Sequence, residues 1–127
     1  MLKFEKHTPA NANTANIIKD YEELDSYDGY PLIYLGKNQL DNYLIGSLVE
    51  IDYELRLTRY MQVPISDEQY IKYKNREITY RQILQNTDSI FIFDITDHGE
   101  SIYEIEGKQL PEEYLPSENS YIPEQEE

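Results

Sequence analysis

An alternation of apolar and polar residues runs through the middle of this chain and most limits what it can fold into. From residue 49 to residue 58 every second side chain is apolar, and the apolar set is Val49, Ile51, Tyr53, Leu55 and Leu57. Successive side chains of a β-strand point to opposite faces of a sheet, so a period of two predicts half-buried strand. Because the stretch 42–63 far exceeds the usual strand length of about 5–6 residues, we predict two antiparallel strands with a turn near 52–56.

Two helix starts of the same kind follow this stretch. Ser66 is followed three residues later by Gln69, and Thr79 is followed three residues later by Gln82. At this spacing the hydroxyl accepts a hydrogen bond from the backbone of the third helical residue, and the glutamine side chain reaches back to the backbone of the cap. The predicted helices cover residues 67–74 and 80–86.

Other segments have the composition of strands and turns. The segments 32–35 and 89–96 are apolar, and the second is apolar on both faces, which predicts a central strand. Turn-forming residues at 97–100 then lead into 101–106, the predicted hairpin partner of 89–96. Two earlier segments are also assigned: residues 17–24 fit either two helical turns or a strand, and 25–31 predicts a turn.

These segments predict an α+β fold, with an antiparallel sheet of four to six strands and two short helices on one face. A polar, Asn-rich stretch predicts an N-terminal arm over residues 1–16, and residues 17–116 form the predicted single domain. The glutamate-rich end, 117–127, predicts a disordered acidic tail. Just before this tail we expect the chain to dock through Leu110, Tyr114 and Leu115.

The strongly negative charge of the chain restricts its partners. There are 25 acidic residues against 11 lysines and arginines, a net charge of -14. After Arg81 the only basic residue is Lys108, against twelve acidic ones, so this last third carries -11 of the total. Sequence-independent affinity for nucleic acid comes from lysines and arginines that neutralise phosphates. Direct binding to nucleic acid, or to an anionic membrane surface, is therefore disfavoured.

Composition and motifs exclude several further classes. The chain has no cysteine, which excludes disulfide frameworks, iron–sulfur clusters, cysteine-ligated zinc and thiol nucleophiles. No apolar run approaches the roughly 20 residues that cross a bilayer, so we expect a cytoplasmic protein. The glycines form no phosphate-binding loop and no serine-nucleophile motif is present, so we expect no cofactor.

Tyrosine is unusually frequent, with thirteen tyrosines and no tryptophan. A tyrosine places its ring on apolar surface while its hydroxyl stays in water, which suits both shallow cores and contact surfaces. Shallow core is the more common of these roles. Some tyrosines, however, lie beside acidic residues in loop-like segments and are candidates for binding a partner. The predicted partner-binding residues are Tyr21, Asp25, Tyr27, Asp28, Tyr30, Glu112, Glu113 and Tyr114.

Carboxylates also cluster around the predicted hairpin, over residues 94–104, together with His98. Carboxylate and imidazole groups can bind Mg²⁺, Mn²⁺ or Ca²⁺. The spacing matches no known metal loop, however, and Asp, His and Gly are ordinary turn residues. We therefore interpret the cluster as a solvated turn and predict no metal site.

One short motif offers an enzymatic alternative. Asp94 followed by Glu106-Gly107-Lys108 resembles the Asp…Glu-x-Lys motif of restriction-endonuclease-like nucleases, in which two carboxylates hold a divalent metal and the lysine orients the attacking water. The resemblance implies Asp94, Glu106 and Lys108 as catalytic residues. It covers residues 94–108 only, lacks a proline before the aspartate and a basic groove for substrate, and places its lysine after a glycine.

Four longer stretches resemble a group of short bacterial and phage-associated proteins of unknown function. The stretches are 27–34, 60–67, 78–82 and 110–116, and the similarity spans most of residues 17–123. These are turn, cap and proline-lid motifs, so the resemblance implies one compact domain and no particular activity.

The negative charge and the lack of catalytic motifs together favour a binding function. We expect a small non-enzymatic module, of the inhibitor, immunity or antitoxin type, that engages a basic protein whose surface otherwise holds nucleic acid. The alternatives are the metal-dependent nuclease and an accessory subunit whose acidity serves solubility only. The sequence leaves open whether the chain also self-associates.

Overall fold

The protein is described by a computed structural model that covers residues 18–27 and 30–124. Within these ranges it forms one six-stranded sheet in which neighbouring strands are antiparallel and strand order follows chain order. The strands are β1 (Ile18–Tyr27), β2 (Tyr30–Asn38), β3 (Tyr43–Asp52), β4 (Leu57–Pro64), β5 (Ile90–Thr96) and β6 (Gly99–Ile105). The helices are α1 (Asp67–Lys74) and α2 (Tyr80–Gln85), with 3₁₀ helices at Gly107–Gln109 and Glu112–Tyr114. The predicted α+β class and antiparallel sheet are confirmed.

The long alternating stretch is two strands, as predicted. β3 and β4 are joined by the turn 53–56, in which the Asp52 Oδ1 atom accepts a hydrogen bond from the Leu55 backbone N–H at 3.0 Å. Arg56 adopts a left-handed backbone conformation, with φ of 51°. The turn was hard to recognise because Tyr53 and Leu55 continue the alternation, although both side chains are exposed rather than half-buried.

Both predicted helix starts are confirmed. Ser66 caps α1 and Thr79 caps α2, and each makes the full reciprocal pair of hydrogen bonds with Gln69 or Gln82. The first helix has its predicted bounds, and the second ends one residue earlier than predicted. Local hydrogen bonds of this type depend on residues only three positions apart, so the sequence specifies them directly.

The N-terminal third decides between two sequence-based alternatives and changes one assignment. Residues 18–27 form a strand, one of the two alternatives for 17–24, because pairing with β2 supplies the hydrogen bonds. The turn predicted over 25–31 is shorter than expected, since Tyr27 pairs with Tyr30, and the two residues between them lie outside the described ranges. β2 also continues past residue 35 through Gly36, where an added Cβ would lie 2.5 Å from the Asp20 carbonyl oxygen.

The cross-strand register divides the sheet positions into two sets, which we call the first face and the second face. The first face carries the buried aliphatic residues Leu35, Ile45, Met61, Val63, Ile90, Ile92 and Ile105. These residues form one hydrophobic cluster with Tyr73 of α1 and with Tyr80, Ile83 and Leu84 of α2. Full burial of one such aliphatic side chain contributes about 1.5–3 kcal/mol to stability.

Polar and aromatic contacts also join the helices to residues of the first face. They are the stacked rings of Tyr43 and Tyr70 (centroids 3.8 Å apart), the Lys74–Glu22 ion pair (3.2 Å) and the hydrogen bond between the hydroxyls of Tyr80 and Ser47 (2.7 Å). Neither α1 nor α2, nor any other helix within the described ranges, has the length and apolar character needed to cross a membrane.

Tyr73 and Tyr80 are both buried but differ in their hydrogen bonding. The Tyr73 hydroxyl has no hydrogen-bond partner among the described residues, whereas the Tyr80 hydroxyl contacts Ser47. Burial raises the pKa of both phenols. Tyr73→Phe is therefore expected to raise the free energy of unfolding by about 1 kcal/mol, and Tyr80→Phe to lower it by about 1–3 kcal/mol, since it leaves the Ser47 hydroxyl unpaired. Urea unfolding of the two variants measures this difference, and an equal decrease in the free energy of unfolding of both would contradict it.

The chain after β6 docks as predicted. Leu110 and Tyr114 are buried, and Leu115 is half-buried. The connection begins with a close backbone approach, in which the Gly107 backbone N–H donates to the carbonyl of Thr87 at 3.0 Å. This approach holds the end of β6 against the end of α2.

Part of the segment for which the sequence predicts disorder is held against the helices. Ile122 is buried, and its carbonyl accepts a hydrogen bond from the Arg76 guanidinium. The carbonyl of Ser120 accepts a hydrogen bond from the Tyr80 backbone N–H at 2.7 Å. One apolar side chain among glutamates and prolines is a weak sequence signal, and its burial depends on a site formed by distant residues. Residues 125–127, like the predicted arm 1–16, lie outside the described ranges.

Candidate protein-interaction surface

The second face of the sheet is rich in aromatic and aliphatic side chains. Its residues follow four cross-strand rows defined by the strand register. The rows are Tyr21–Gly36–Leu44–Pro64, Glu23–Tyr34–Gly46–Gln62–Phe91–Glu104, Leu48–Tyr60–Phe93–Ile102 and Ile51–Thr58–Ile95–Glu100. Aromatic residues on β2, β4 and β5 therefore lie at the centre of this surface.

Tyr34 organises the side of this face near β1 and β2. Its ring lies over Gly46, where an added Cβ would be only 2.1 Å from the ring, and its hydroxyl accepts a hydrogen bond from Gln62 Nε2 at 2.9 Å. Tyr21 and Tyr60 flank the ring, with centroids 5.3 and 6.3 Å away. Burial raises the pKa of Tyr34 to about 12, so the phenol is neutral at physiological pH. These contacts join three aromatic rings, of which Tyr34 is buried, Tyr60 is half-buried and Tyr21 is exposed.

Charges on the second face lie at its margins and have one sign. Glu23 is on the edge strand β1, and Glu100 and Glu104 are on the edge strand β6. The four rows contain no lysine and no arginine. An apolar centre with a polar margin is the usual arrangement of a protein–protein interface. Here the margin is anionic on both edges.

Exposed apolar residues also lie at the end of the sheet where β3 turns into β4. In the β3–β4 turn, Tyr53 is 82% and Leu55 is 62% exposed, and Ile95 on β5 is 37% exposed. An ion pair between Arg56 and Asp97, 3.0 Å long, links this turn to the β5–β6 turn. The sequence predicted a turn here, but it did not indicate that Tyr53 and Leu55 are exposed, because they continue an alternation that is typical of half-buried strand.

The residues predicted to bind a partner do not form one cluster. Tyr21 is exposed on the second face, whereas Asp25 is exposed but pairs with Ile33 on the first. Glu112 and Glu113 are exposed in a 3₁₀ helix, far along the chain from both. Asp28 and the side chains of Tyr27 and Tyr30 lie outside the described residues.

Tyr114 is not an exposed contact residue, because it is buried in a charged network on the first face. Arg59, which is 2% exposed, makes two bonds to Asp94: Nε to Oδ1 at 2.6 Å and Nη2 to Oδ2 at 2.8 Å. Arg59 Nη1 also donates to the Tyr114 hydroxyl at 3.0 Å, and this hydroxyl donates to Glu50 Oε2 at 2.9 Å. The sequence signal for this network is weak, since Arg59 occurs as one polar residue within an alternating strand.

The pKa values in this network follow from burial and hydrogen bonding. Burial by itself lowers the pKa of Arg59, but its hydrogen bonds to Asp94 and Tyr114 raise that pKa overall. The pKa of Tyr114 rises to about 12, chiefly through burial and against the lowering effect of the Arg59 hydrogen bond. Arg59 therefore stays charged and Tyr114 stays neutral at physiological pH.

The structure does not bring the three candidate catalytic residues together. Asp94 is bound to Arg59 and pairs across the sheet with Ser101. The end of β6 at Ile105 pairs with Ile90, four residues from Asp94, which is about 13 Å along a strand. Glu106 and Lys108 lie beyond that end. Both side chains are exposed, and their ion pair is 2.9 Å long.

The acidic residues of the β5–β6 hairpin likewise do not converge. Asp97 pairs with Arg56, and Glu104 accepts a hydrogen bond from the Ser89 hydroxyl at 2.9 Å. Among the described residues, no group of three or more His, Cys, Asp or Glu side chains could hold a metal ion. The geometry of this region is that of a surface turn with separate pairwise contacts.

Comparison with known proteins gives the chain no assignment. No model of a protein family, no curated protein and no solved structure matches it.

Proposed function

We propose that this protein is a small non-enzymatic binding module, of the inhibitor, immunity or antitoxin type in a bacterium or phage, that engages a basic surface of another protein. One observation carries the proposal: an aromatic sheet face without lysine or arginine in its four rows, bounded by Glu23 on one edge strand and by Glu100 and Glu104 on the other. Such a face complements a partner with an apolar centre and a cationic margin.

The helix contacts support this use of the second face. α1 reaches Tyr43 and Glu22, α2 reaches Ser47, and all three are first-face residues. We therefore infer that both helices cover the first face. Phe93, which is half-buried, and Ile95, which is 37% exposed, then remain available to a partner on the second face.

The charge of the whole chain supports the choice of a basic partner. A net charge of -14 on a chain of 127 residues produces a negative potential that attracts a positively charged protein and accelerates its encounter. Because exposed charges are screened within about 8 Å at physiological ionic strength, added salt should slow this association.

Aromatic residues on an open sheet face also occur in proteins that stack single-stranded RNA. Those proteins need lysines and arginines near the aromatic residues to neutralise the phosphates. The second face has glutamates at the corresponding margins, so it favours a protein partner over RNA.

The two alternative functions have less support. The nuclease alternative needs Asp94, Glu106 and Lys108 around one metal ion, whereas Asp94 is bound to Arg59 and the other two residues lie beyond the end of β6. The third alternative, acidity for solubility alone, leaves the aromatic centre of the second face unexplained.

The proposal is tested by affinity purification from bacterial lysate on the immobilised full chain, followed by binding kinetics of the purified partner. We expect a basic partner whose association rate falls as salt rises, and whose affinity falls at least tenfold with the double change Phe93→Thr and Ile95→Thr. Ile71→Thr is the matched control, since Ile71 is 56% exposed but lies on α1. An acidic partner, or equal binding by the double variant and the wild type, would contradict the proposal.

A further inference from the structure

The two edge strands of the sheet differ in how well they could accept another strand. β1 pairs with β2 through three register shifts, and its exposed side chains include Asp20, Glu22 and Glu23. Bulges and charges of this kind protect an edge from further pairing. β6 pairs with β5 over seven consecutive residues without any shift, and it is the last strand of the described sheet. Among the described strands, β6 therefore presents a regular outer edge.

The side chains of β6 oppose pairing with a second copy of this chain. If two copies paired through β6 as antiparallel strands with the greatest overlap, Gly99 of each copy would lie opposite Ile105 of the other. Glu100 of each copy would then lie opposite Glu104 of the other, which places like charges together at two positions. Like charges directly opposite each other destabilise a sheet. The same two glutamates would stabilise a strand that places a cation opposite each of them.

We propose that β6 accepts an extended segment of the partner as a seventh, antiparallel strand. This inference rests on the proposed function and specifies the partner segment. The segment carries lysine or arginine at two positions four residues apart, opposite Glu104 and Glu100. An apolar residue lies midway between them, opposite Ile102.

The added strand would extend the rows of the second face. Ile102 is next to Phe93 in its row, and Glu104 is next to Phe91, so the central apolar residue of the new strand meets an apolar row and its cations meet the acidic margin. The Ser89 hydroxyl holds the Glu104 carboxylate at 2.9 Å, which restricts that side chain before binding. Backbone hydrogen bonds would supply affinity, and the alternate side chains would supply specificity.

A synthetic peptide of the same length as β6 tests the inference on the full chain. It carries lysine opposite each glutamate, valine opposite Ile102 and threonine elsewhere, and its binding is followed by fluorescence anisotropy and by backbone amide NMR shifts. We expect binding with the largest shifts in β6. Two further peptides are N-methylated at alternate amides, one at the amides whose N–H groups face β6 and one at the amides whose N–H groups face away. The first peptide should bind at least tenfold more weakly, and the second only slightly more weakly. Equal effects in the two peptides would overturn the inference.

Charge reversal in the protein distinguishes binding at β6 from a general effect of the net charge. Glu100→Lys with Glu104→Lys should abolish binding of the lysine peptide and permit binding of the same peptide with glutamates. Glu77→Lys with Glu118→Lys changes the net charge equally at exposed glutamates outside β6, and should leave at least half of the affinity. An equal loss of affinity for the lysine peptide in both double variants would overturn the inference. If the peptide does not bind while the purified partner still depends on Phe93 and Ile95, strand addition is wrong and the proposed function stands.

Discussion

Arg59→Met is expected to lower the free energy of unfolding by about 3–5 kcal/mol, because it leaves the Asp94 carboxylate buried without its partner. Arg59 is 2% exposed and Asp94 is 7% exposed, and the pair makes two short charge-assisted hydrogen bonds. The substitution also removes the donor to the Tyr114 hydroxyl. The loss should therefore include weaker docking of the chain after β6.

The double change Arg59→Met with Asp94→Leu is the informative control. Replacing both members of a buried ion pair by apolar residues of similar size is often neutral or stabilising, so the double variant should recover most of the loss. Urea unfolding of the wild type, both single variants and the double variant gives the coupling between the two residues. Additive losses would contradict the strong coupling that the geometry implies.

Ile92→Ala is expected to lower the free energy of unfolding by about 2–5 kcal/mol, through lost burial and the cavity that remains. Ile92 is fully buried at the centre of the first face, where it pairs with Met61 on β4 and Tyr103 on β6. Its side chain belongs to the cluster that also contains the buried residues of α1 and α2. The change therefore weakens the contact between the sheet and both helices.

Ile95→Ala is the matched control, since Ile95 lies on the same strand but is 37% exposed on the second face. It should cost less than about 1 kcal/mol of stability, because little apolar surface is lost from the interior. Under the proposed function it should nevertheless weaken binding to the basic partner. Thermal and urea unfolding give the stability of both variants, and a similar loss in the two would contradict the assignment of the faces.

Local signals in the sequence were sufficient for the two helix starts and for the long alternating stretch. The two capping boxes specify where α1 and α2 begin, and the alternation after residue 48 specifies half-buried strand. The segment 17–24 was ambiguous because an edge strand gains its hydrogen bonds from a neighbour in space. Its own residues express no strong preference between helix and strand.

The candidate site was predicted only in part. The sequence indicated an acidic, tyrosine-bearing surface, and Tyr21 does lie exposed on the second face. Tyr114 was expected at the surface, yet Arg59 and Glu50 bind its hydroxyl in a buried network. Only the pairing of distant strands could show which tyrosines share a face and which are enclosed.

The amino-acid sequence by itself determined the α+β class, the starts of both helices, the division of the long alternating stretch into two strands and the excess of negative charge. These properties depend on residues a few positions apart or on composition alone. The tertiary structure decided that Tyr34, Tyr60, Phe91 and Phe93 share one face with glutamates at its margins, and that Arg59 neutralises Asp94 inside the other. The physical reason is that strand register couples residues far apart in the chain, and a shift of one residue would move every side chain of a strand to the opposite face.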